Sequence, residues 1–266
     1  MAQTAIEVAN QARQHILMMT SRANASHVGS ALSVVDIIST LYSTNELFVN
    51  QKTKNRESKL ILSKGHAAAA LYSVLAVKGI IPNEWLTDYC QNGAILGGHV
   101  TSKGIAAIPL STGSLGHGLP YGMGIALGAK LKKQNSRCFV VMSDGECDEG
   151  TTWESALFAA HHKLENLCVI IDRNKLQSLM STELTLGLEP LPDKWRSFGW
   201  EVREIDGHNH NEIENAIEVS DRPICIIANT TKGKGVSFME NSVLWHYRPP
   251  NQEELALALT EIRDLG

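Results

Sequence analysis

The chain has 266 residues, 43% of them apolar and 20% charged, with a net charge of −4. That length allows one large domain or two small ones, and that composition supports a full hydrophobic core and excludes a disordered chain. A negative balance argues against the clustered basic surface that nucleic acid or an anionic membrane requires.

At the start, Met1 to Glu7 lack the basic-then-apolar pattern of a secretory leader, and no later apolar run is long enough to span a bilayer. The five cysteines (Cys90, Cys138, Cys147, Cys168 and Cys225) are scattered, odd in number and free of any C-x-x-C pair. That argues against structural zinc or a disulfide framework, so the expectation is a cytoplasmic protein. Cys147, flanked by Glu146 and Asp148, is expected to be structural because neighbouring carboxylates disfavour a thiolate.

The first segment, about residues 6–20, carries apolar residues at helical spacing. A loop, Ser26-His27-Val28-Gly29-Ser30, precedes a second helix with Leu32, Val35, Ile38, Leu41 and Tyr42 on one face. Short apolar runs of the buried-strand type come next: Leu60–Leu62, Cys138–Met142, Leu167–Ile171, Trp200–Ile205 and Ile224–Ala228. Helical stretches separate most of them, one with Trp153, Ala156, Leu157, Ala160 and Leu164 at i, i+3, i+4 spacing. After Pro249-Pro250, Asn251 can cap a last helix with Glu254 three residues on, a capping-box arrangement. Strands and helices in alternation predict an α/β fold, a mostly parallel sheet with helices on both faces.

The strand ends are polar. The five runs lead into Ser63-Lys64-Gly65-His66, Ser143-Asp144-Gly145-Glu146, Asp172-Arg173-Asn174, Asp206-Gly207-His208 and Asn229-Thr230-Thr231-Lys232-Gly233. In open α/β sheets the ligand crevice lies beyond the carboxyl ends of the strands, so these polar tips are expected to converge on a site.

Asp144 closes one strand and Asn174 the next. Together they offer a charged and a neutral oxygen, and the Leu176 carbonyl can add a third. Mg²⁺ takes six oxygens and usually binds few protein groups plus phosphates and water. Gly145 allows its N–H to approach a phosphate closely. No G-x-G-x-x-G follows a strand and no Walker A lysine motif is present, which disfavours a dinucleotide site or nucleotide hydrolysis. A second glycine-rich segment, Ser111 to Gly118, opens a long apolar helix and suits an anion or a ring packed on backbone.

Ten histidines are present. His15, His161, His162, His208 and His210 are read as hydrogen-bonded surface or core residues. His27, His66, His99, His117 and His246 recur in turn-like contexts and are expected to cluster. With no H-x-x-x-H or H-E-x-x-H pair to hold zinc, neutral imidazoles that bond hydroxyls and shuttle protons fit better.

Taken together, Ser26 to Ser30, Ser63 to His66, Gly98-His99, Ser111 to Gly116, Asp144-Gly145 through Asn174, and Thr231 to Gly235 before Trp245-His246 resemble the transketolases, in that family's order along nearly the whole chain. The resemblance implies a single thiamine diphosphate- and Mg²⁺-binding domain over residues 1–266. It implies that Asp144, Asn174 and the Leu176 carbonyl bind the metal. Ser30, His66, Gly113, Ser114, Leu115, Gly145, Asn174, Lys232 and His246 would contact the cofactor. His27, His99 and His246 would act on the sugar, and Glu149 would be a buried interface carboxylate. The implied reaction moves a two-carbon ketol unit from a ketose to an aldose, with the cofactor as electron sink.

Val28, Ser114, His117 and Ser143 depart from the usual family residues, which bears on substrate detail more than on cofactor binding. Full transketolases continue for two further domains. The resemblance therefore implies a pyrimidine-binding partner chain, an expected α2β2 heterotetramer, and small sugar or sugar-phosphate substrates. Two rival readings are the diphosphate-binding subunit of a 2-oxo-acid decarboxylase or dehydrogenase, and a non-catalytic cofactor-holding module.

Overall fold

The structure is a computed structural model that describes residues 3–44, 47 and 58–264. Met1, Ala2, Leu265 and Gly266, the ends of the expected single domain, lie outside the described residues.

Five strands, β1 (Lys59–Leu62), β2 (Cys138–Ser143), β3 (Leu167–Arg173), β4 (Glu201–Asp206) and β5 (Ile224–Asn229), form one sheet in the order β1-β2-β3-β5-β4. All four pairings are parallel. The helices are α1 (Ala5–Ala23), α2 (Val28–Ser43), α3 (Ala68–Val77), α4 (Gly118–Leu131), α5 (Gly150–His161), α6 (Thr182–Thr185), α7 (Leu191–Ser197), α8 (His210–Ala216), α9 (Leu244–Tyr247) and α10 (Gln252–Asp264).

The strand period of two divides the apolar runs between two cores. Leu60, Leu62, Phe139, Val141, Cys168, Ile170, Ile224 and Ile226 face α1, α2, α3, α8 and α10. The alternate residues Ile61, Cys138, Val140, Met142, Val169, Ile171, Cys225 and Ile227 face α4, α5 and α7. Burial on both faces explains why these strands read as unbroken apolar runs. The fold is therefore the expected α/β arrangement with helices on both faces of a parallel sheet. Among the described residues no helix is long and apolar enough to cross a membrane.

Three local features bear on the expectations. β4 is a half-buried edge strand with charged residues, where Arg203 pairs with Glu201 at 2.5 Å, and Trp200 lies just before it with its indole N–H on the Ala156 carbonyl at 2.9 Å. α2 is buried around its whole circumference from Val28 to Tyr42 rather than along one face, because it lies against α1, α3 and α8. Of its polar residues, Ser33, Asp36 and Thr40 find partners inside, whereas the buried Ser39 hydroxyl has none among the described residues. The end of the chain follows the expected cap: Asn251 Oδ1 accepts from the Glu254 N–H, and Glu254 Oε2 accepts from the Asn251 N–H, both at 2.9 Å.

The candidate active site

Parallel strands place their five polar tips at one edge of the sheet, but only four converge: one cavity is lined by residues at the tips of β1, β2, β3 and β5, by the start of α2 and by the glycine-rich loop before α4, whereas Asp206 and His208 at the β4 tip line a separate cavity. Helix α2 begins at His27, whose backbone is left-handed (φ 75°) and whose N–H donates to the His246 carbonyl at 2.8 Å. A positive φ is uncommon for a non-glycine residue, so the hold on His246 and the helix start together keep this ring in place.

His27, His66, His99 and His246 converge. The His27 ring centroid lies 5.4 Å from His66, 5.5 Å from His99 and 4.8 Å from His246. Burial first, then the charges around it, pushes His27 down to about 4 and His246 down to about 3. His66 is held well below its ordinary value by burial and then by Lys64. These three rings are neutral near pH 7 and can donate and accept hydrogen bonds. His117 does not join them: it is exposed, with Nδ1 3.0 Å from the Leu115 carbonyl oxygen, and it is not among the residues that line the cavity.

Across the cavity stand Asp144, Asn174 and Leu176. Pairing of Ser143 with Asp172 brings the tips of β2 and β3 side by side. Asp144 Oδ2 accepts from the Lys175 N–H at 2.6 Å, and Asn174 Oδ1 accepts from the Leu176 N–H at 3.1 Å. The Leu176 carbonyl accepts from Lys232 Nζ at 3.2 Å. Each of these oxygens has a further lone pair. The Gly145 N–H, expected to face a phosphate, donates to Asp144 Oδ1 at 2.8 Å. A Cβ on Gly145 would come within 2.8 Å of the Gln177 side chain, which would have to move aside.

The electrostatics are uneven. Asp172 is fully buried; burial pushes its carboxyl up, but the Lys64 ammonium and the Ser33 and Thr230 hydroxyls outweigh that and hold it below its usual value. Asp144 is buried too, and among the described residues it has no such ion pair. Burial first and then Asp172 push it up to about 6. A buried carboxylate without a cation is a destabilised one, and three oxygen donors side by side suit a hard divalent ion. Among the described residues no group of three or more His, Cys, Asp or Glu could hold a metal; what the cavity offers is one carboxylate, one amide oxygen and one backbone carbonyl, from Asp144, Asn174 and Leu176. Lys232, brought down to about 8 by burial and then by Lys64, points its ammonium at the Leu176 and Gln177 carbonyls and 3.2 Å from His246 Nδ1.

Of the residues singled out from the sequence, Ser30, His66, Gly113, Leu115, Gly145, Asn174, Lys232 and His246 line the cavity with His27, His99, Asp144 and Leu176. Ser114 does not; it is exposed on the outside of the loop. Glu149 is exposed on this chain. The buried carboxylate of that segment is Glu146, which sequence reasoning missed. Its Oε1 accepts from Ser63 Oγ and from the Gly116 N–H at 2.8 Å, and Oε2 accepts from the Ser143 N–H at 3.4 Å. Glu146 thereby joins the β1 and β2 tips to the glycine-rich loop. Cys147 beside it is buried, and burial followed by the adjacent carboxylates pushes its thiol well up, in keeping with a structural residue.

Comparison with known proteins agrees with this geometry. The family described as transketolase, thiamine diphosphate binding domain, matches residues 4–262. The chain is 39% identical, over 95% of its length and 93% of the relative's, to an apulose-4-phosphate transketolase subunit of Actinobacillus succinogenes. It is 36% identical, over 97% of its length and 96% of the relative's, to the 6-deoxy-6-sulfo-D-fructose transketolase subunit SqwG of a Clostridium species. The crystal structure of Campylobacter jejuni transketolase superposes with a TM-score of 0.88 at 30% identity, covering 99% of this chain but 43% of that one. The chain thus spans less than half of that solved transketolase and nearly all of the two subunits. It belongs to the transketolase family, as an enzyme subunit built on the thiamine diphosphate-binding domain.

Proposed function

We propose that this chain is the diphosphate- and metal-binding half of a two-chain transketolase that moves a two-carbon ketol unit from a ketose or ketose phosphate to an aldose or aldose phosphate. The observation that carries the reading is the cavity in which the His27, His66, His99 and His246 rings face Asp144 and Asn174. In this reading Asp144, Asn174 and the Leu176 carbonyl hold Mg²⁺, which gives the raised Asp144 carboxyl its cation. The Lys232 ammonium and the His66 ring would bind the diphosphate, and Ser30, Gly113 and Leu115, which line the same cavity, would contact the rest of the cofactor. When bound, thiamine diphosphate supplies the electron sink for breaking and re-forming the sugar carbon–carbon bond. His27, His99 and His246 orient the sugar, and the neutral His27 and His246 rings hold or move hydroxyl protons.

Relatives of nearly the same length are named as transketolase subunits, and the full-length transketolase extends well beyond this domain. Both support a pyrimidine-binding partner chain, joined in an α2β2 heterotetramer with the site at the interface between chains. Exposed Glu149, adjacent to α5, fits a place in that interface. Five free cysteines support a cytoplasmic setting.

The test is to express the chain with and without a candidate partner chain, then to assay ketol transfer in the presence of thiamine diphosphate and Mg²⁺. Activity is expected only in the mixture. Full turnover by the isolated chain would refute the split, and release of CO₂ from pyruvate would favour a 2-oxo-acid enzyme instead. Cofactor binding in the mixture with neither ketol transfer nor CO₂ release would favour a non-catalytic cofactor-holding module.

A further inference from the structure

Away from the cavity, a buried polar cluster sits where α1, α2 and the β4–α8 loop meet. Asp36 on α2 is 3% exposed. It accepts from Arg13 Nη2 at 2.5 Å and from His208 Nδ1 at 2.8 Å, and His210 Nε2 lies 3.3 Å from its other oxygen. Nothing in the proposed chemistry uses these groups, yet His208 reaches further. Its Nε2 lies 2.8 Å from the backbone nitrogen of Thr231. A backbone N–H can only donate, so Nε2 is the acceptor and the ring proton sits on Nδ1, facing Asp36. The imidazole is therefore a two-ended spacer of fixed tautomer.

It spaces two walls of the cavity. Asp36 belongs to the helix whose first turn brings His27 and Ser30 to the site. Thr231 stands between Thr230, whose hydroxyl bonds Asp172, and Lys232, whose ammonium enters the cavity. The same segment is tied at its far side by the Gly233 N–H to the Gly29 carbonyl at 2.9 Å. Without the His208 bond, Thr231 would have a loose amide next to the residue that must place its charge.

We infer that His208 is a positioning residue: by bridging Asp36 to the Thr231 amide, it sets the height of the Lys232 ammonium over the cofactor's anionic end. This rests on reading the cavity as the cofactor site. It acts through Thr231 and touches no reacting atom.

Two substitutions separate the two ends of the bridge. His208→Asn can keep a donor toward Asp36 but cannot reach Thr231, whereas His208→Gln can offer an acceptor to Thr231 and gives up the Nδ1 donor. Both should lower the melting temperature. The affinity for thiamine diphosphate, measured by calorimetry with Mg²⁺ and the partner chain, is expected to fall about tenfold in His208→Asn, as a displaced Lys232 ammonium gives up about one charged hydrogen bond to the diphosphate, and to stay within about threefold of wild type in His208→Gln. Equal affinities in the two variants, or affinity that simply follows melting temperature, would overturn the inference. Nitrogen-15 NMR of the cofactor-free wild-type chain gives an independent reading. It should show His208 Nε2 as an unprotonated acceptor, and a proton on Nε2 would also overturn the bridge. If the wild-type assembly bound no thiamine diphosphate, the assignment of the cavity would fall, while the imidazole signal would still decide whether the bridge exists.

Discussion

The Lys64 ammonium lies on the Asp172 carboxylate, with both side chains completely buried at the tips of β1 and β3. That pairing determines the character of the site. Two buried aspartates stand side by side at the ends of β2 and β3, and Lys64 is committed to one of them. Asp144, the one that lines the cavity, has no ion pair among the described residues, and burial and then Asp172 push its carboxyl up to about 6. Opposite it, burial keeps three imidazoles uncharged. The cavity thus brings the Asp144 carboxyl, neutral imidazoles and the Lys232 ammonium together, a mixed lining that suits an anionic ligand with hydroxyl groups to be bonded.

Asp144 should make the metal-free protein less stable as pH rises. Its pKa is raised from 3.8 to about 6, so between those values the folded chain binds more protons than the unfolded chain. Stability from this group is complete below about pH 4 and is lost as pH climbs through 6. Between pH 5 and 7.5 the loss should be about 1–2 kcal/mol. Urea unfolding in chelator should show it in the wild type and not in Asp144→Asn, and Mg²⁺ should offset it in the wild type alone. An identical pH dependence in the two proteins would show that Asp144 is not the group responsible.

The imidazoles give a direct spectroscopic prediction. His27 and His246 should titrate near 4 and near 3, and so be uncharged near pH 7. Proton–carbon NMR of the isolated chain can follow both rings, with His27→Gln and His246→Gln supplying the assignments. Titration near the ordinary histidine value of 6.5 would mean that these rings are far better solvated than the structure places them.

Much of this architecture is legible in the sequence, and the physical reason differs from one residue to the next. Cys138 to Met142 read as a buried strand because both sheet faces are covered, and its polar successor Asp144 then falls at the site edge. Proximity to glycine marks His117 as a loop residue but cannot say which way it points, and the turn that exposes it is fixed by Gly116 at φ 80°. Periodicity shows one apolar stripe on α2, because its other positions carry Ser33 and Asp36, whose partners Asp172 and Arg13 are distant in the chain. Glu146 is hidden for the same reason: the short helical turn from Gly145 to Asp148 rotates it inward toward Ser63 and Gly116, contacts no local pattern reveals.

Glu146→Gln should therefore be more than a surface change. The amide keeps one oxygen for Ser63 and the Gly116 N–H, but its NH₂ then meets the Ser143 N–H, donor against donor. A buried mismatch of this kind costs about 1–3 kcal/mol. The glycine-rich loop should also loosen, so hydrogen exchange at Gly116 and Gly118 should quicken by more than the global loss of stability accounts for. Unchanged exchange at those amides would mean the loop is held by Thr112 and Thr151 instead, through their bonds to the Leu62 and Gly116 carbonyls.

Lys64 and Asp172 can be tested as a pair. Removing one member of a buried ion pair leaves an uncompensated charge, so Lys64→Met should destabilise the chain by about 3–5 kcal/mol. The main harm in that variant is the stranded carboxylate, not the missing ammonium. Lys64→Met combined with Asp172→Asn should then be more stable than the sum of the single losses predicts, by about 1–3 kcal/mol, because the Asn still bonds the Ser33 and Thr230 hydroxyls without carrying charge. Urea unfolding of the four proteins gives the coupling. Strict additivity would show that solvent reaches Asp172 and that Lys64 is not its counter-ion. Asp144 would then have a claim on that ammonium, and its need for a metal would weaken accordingly.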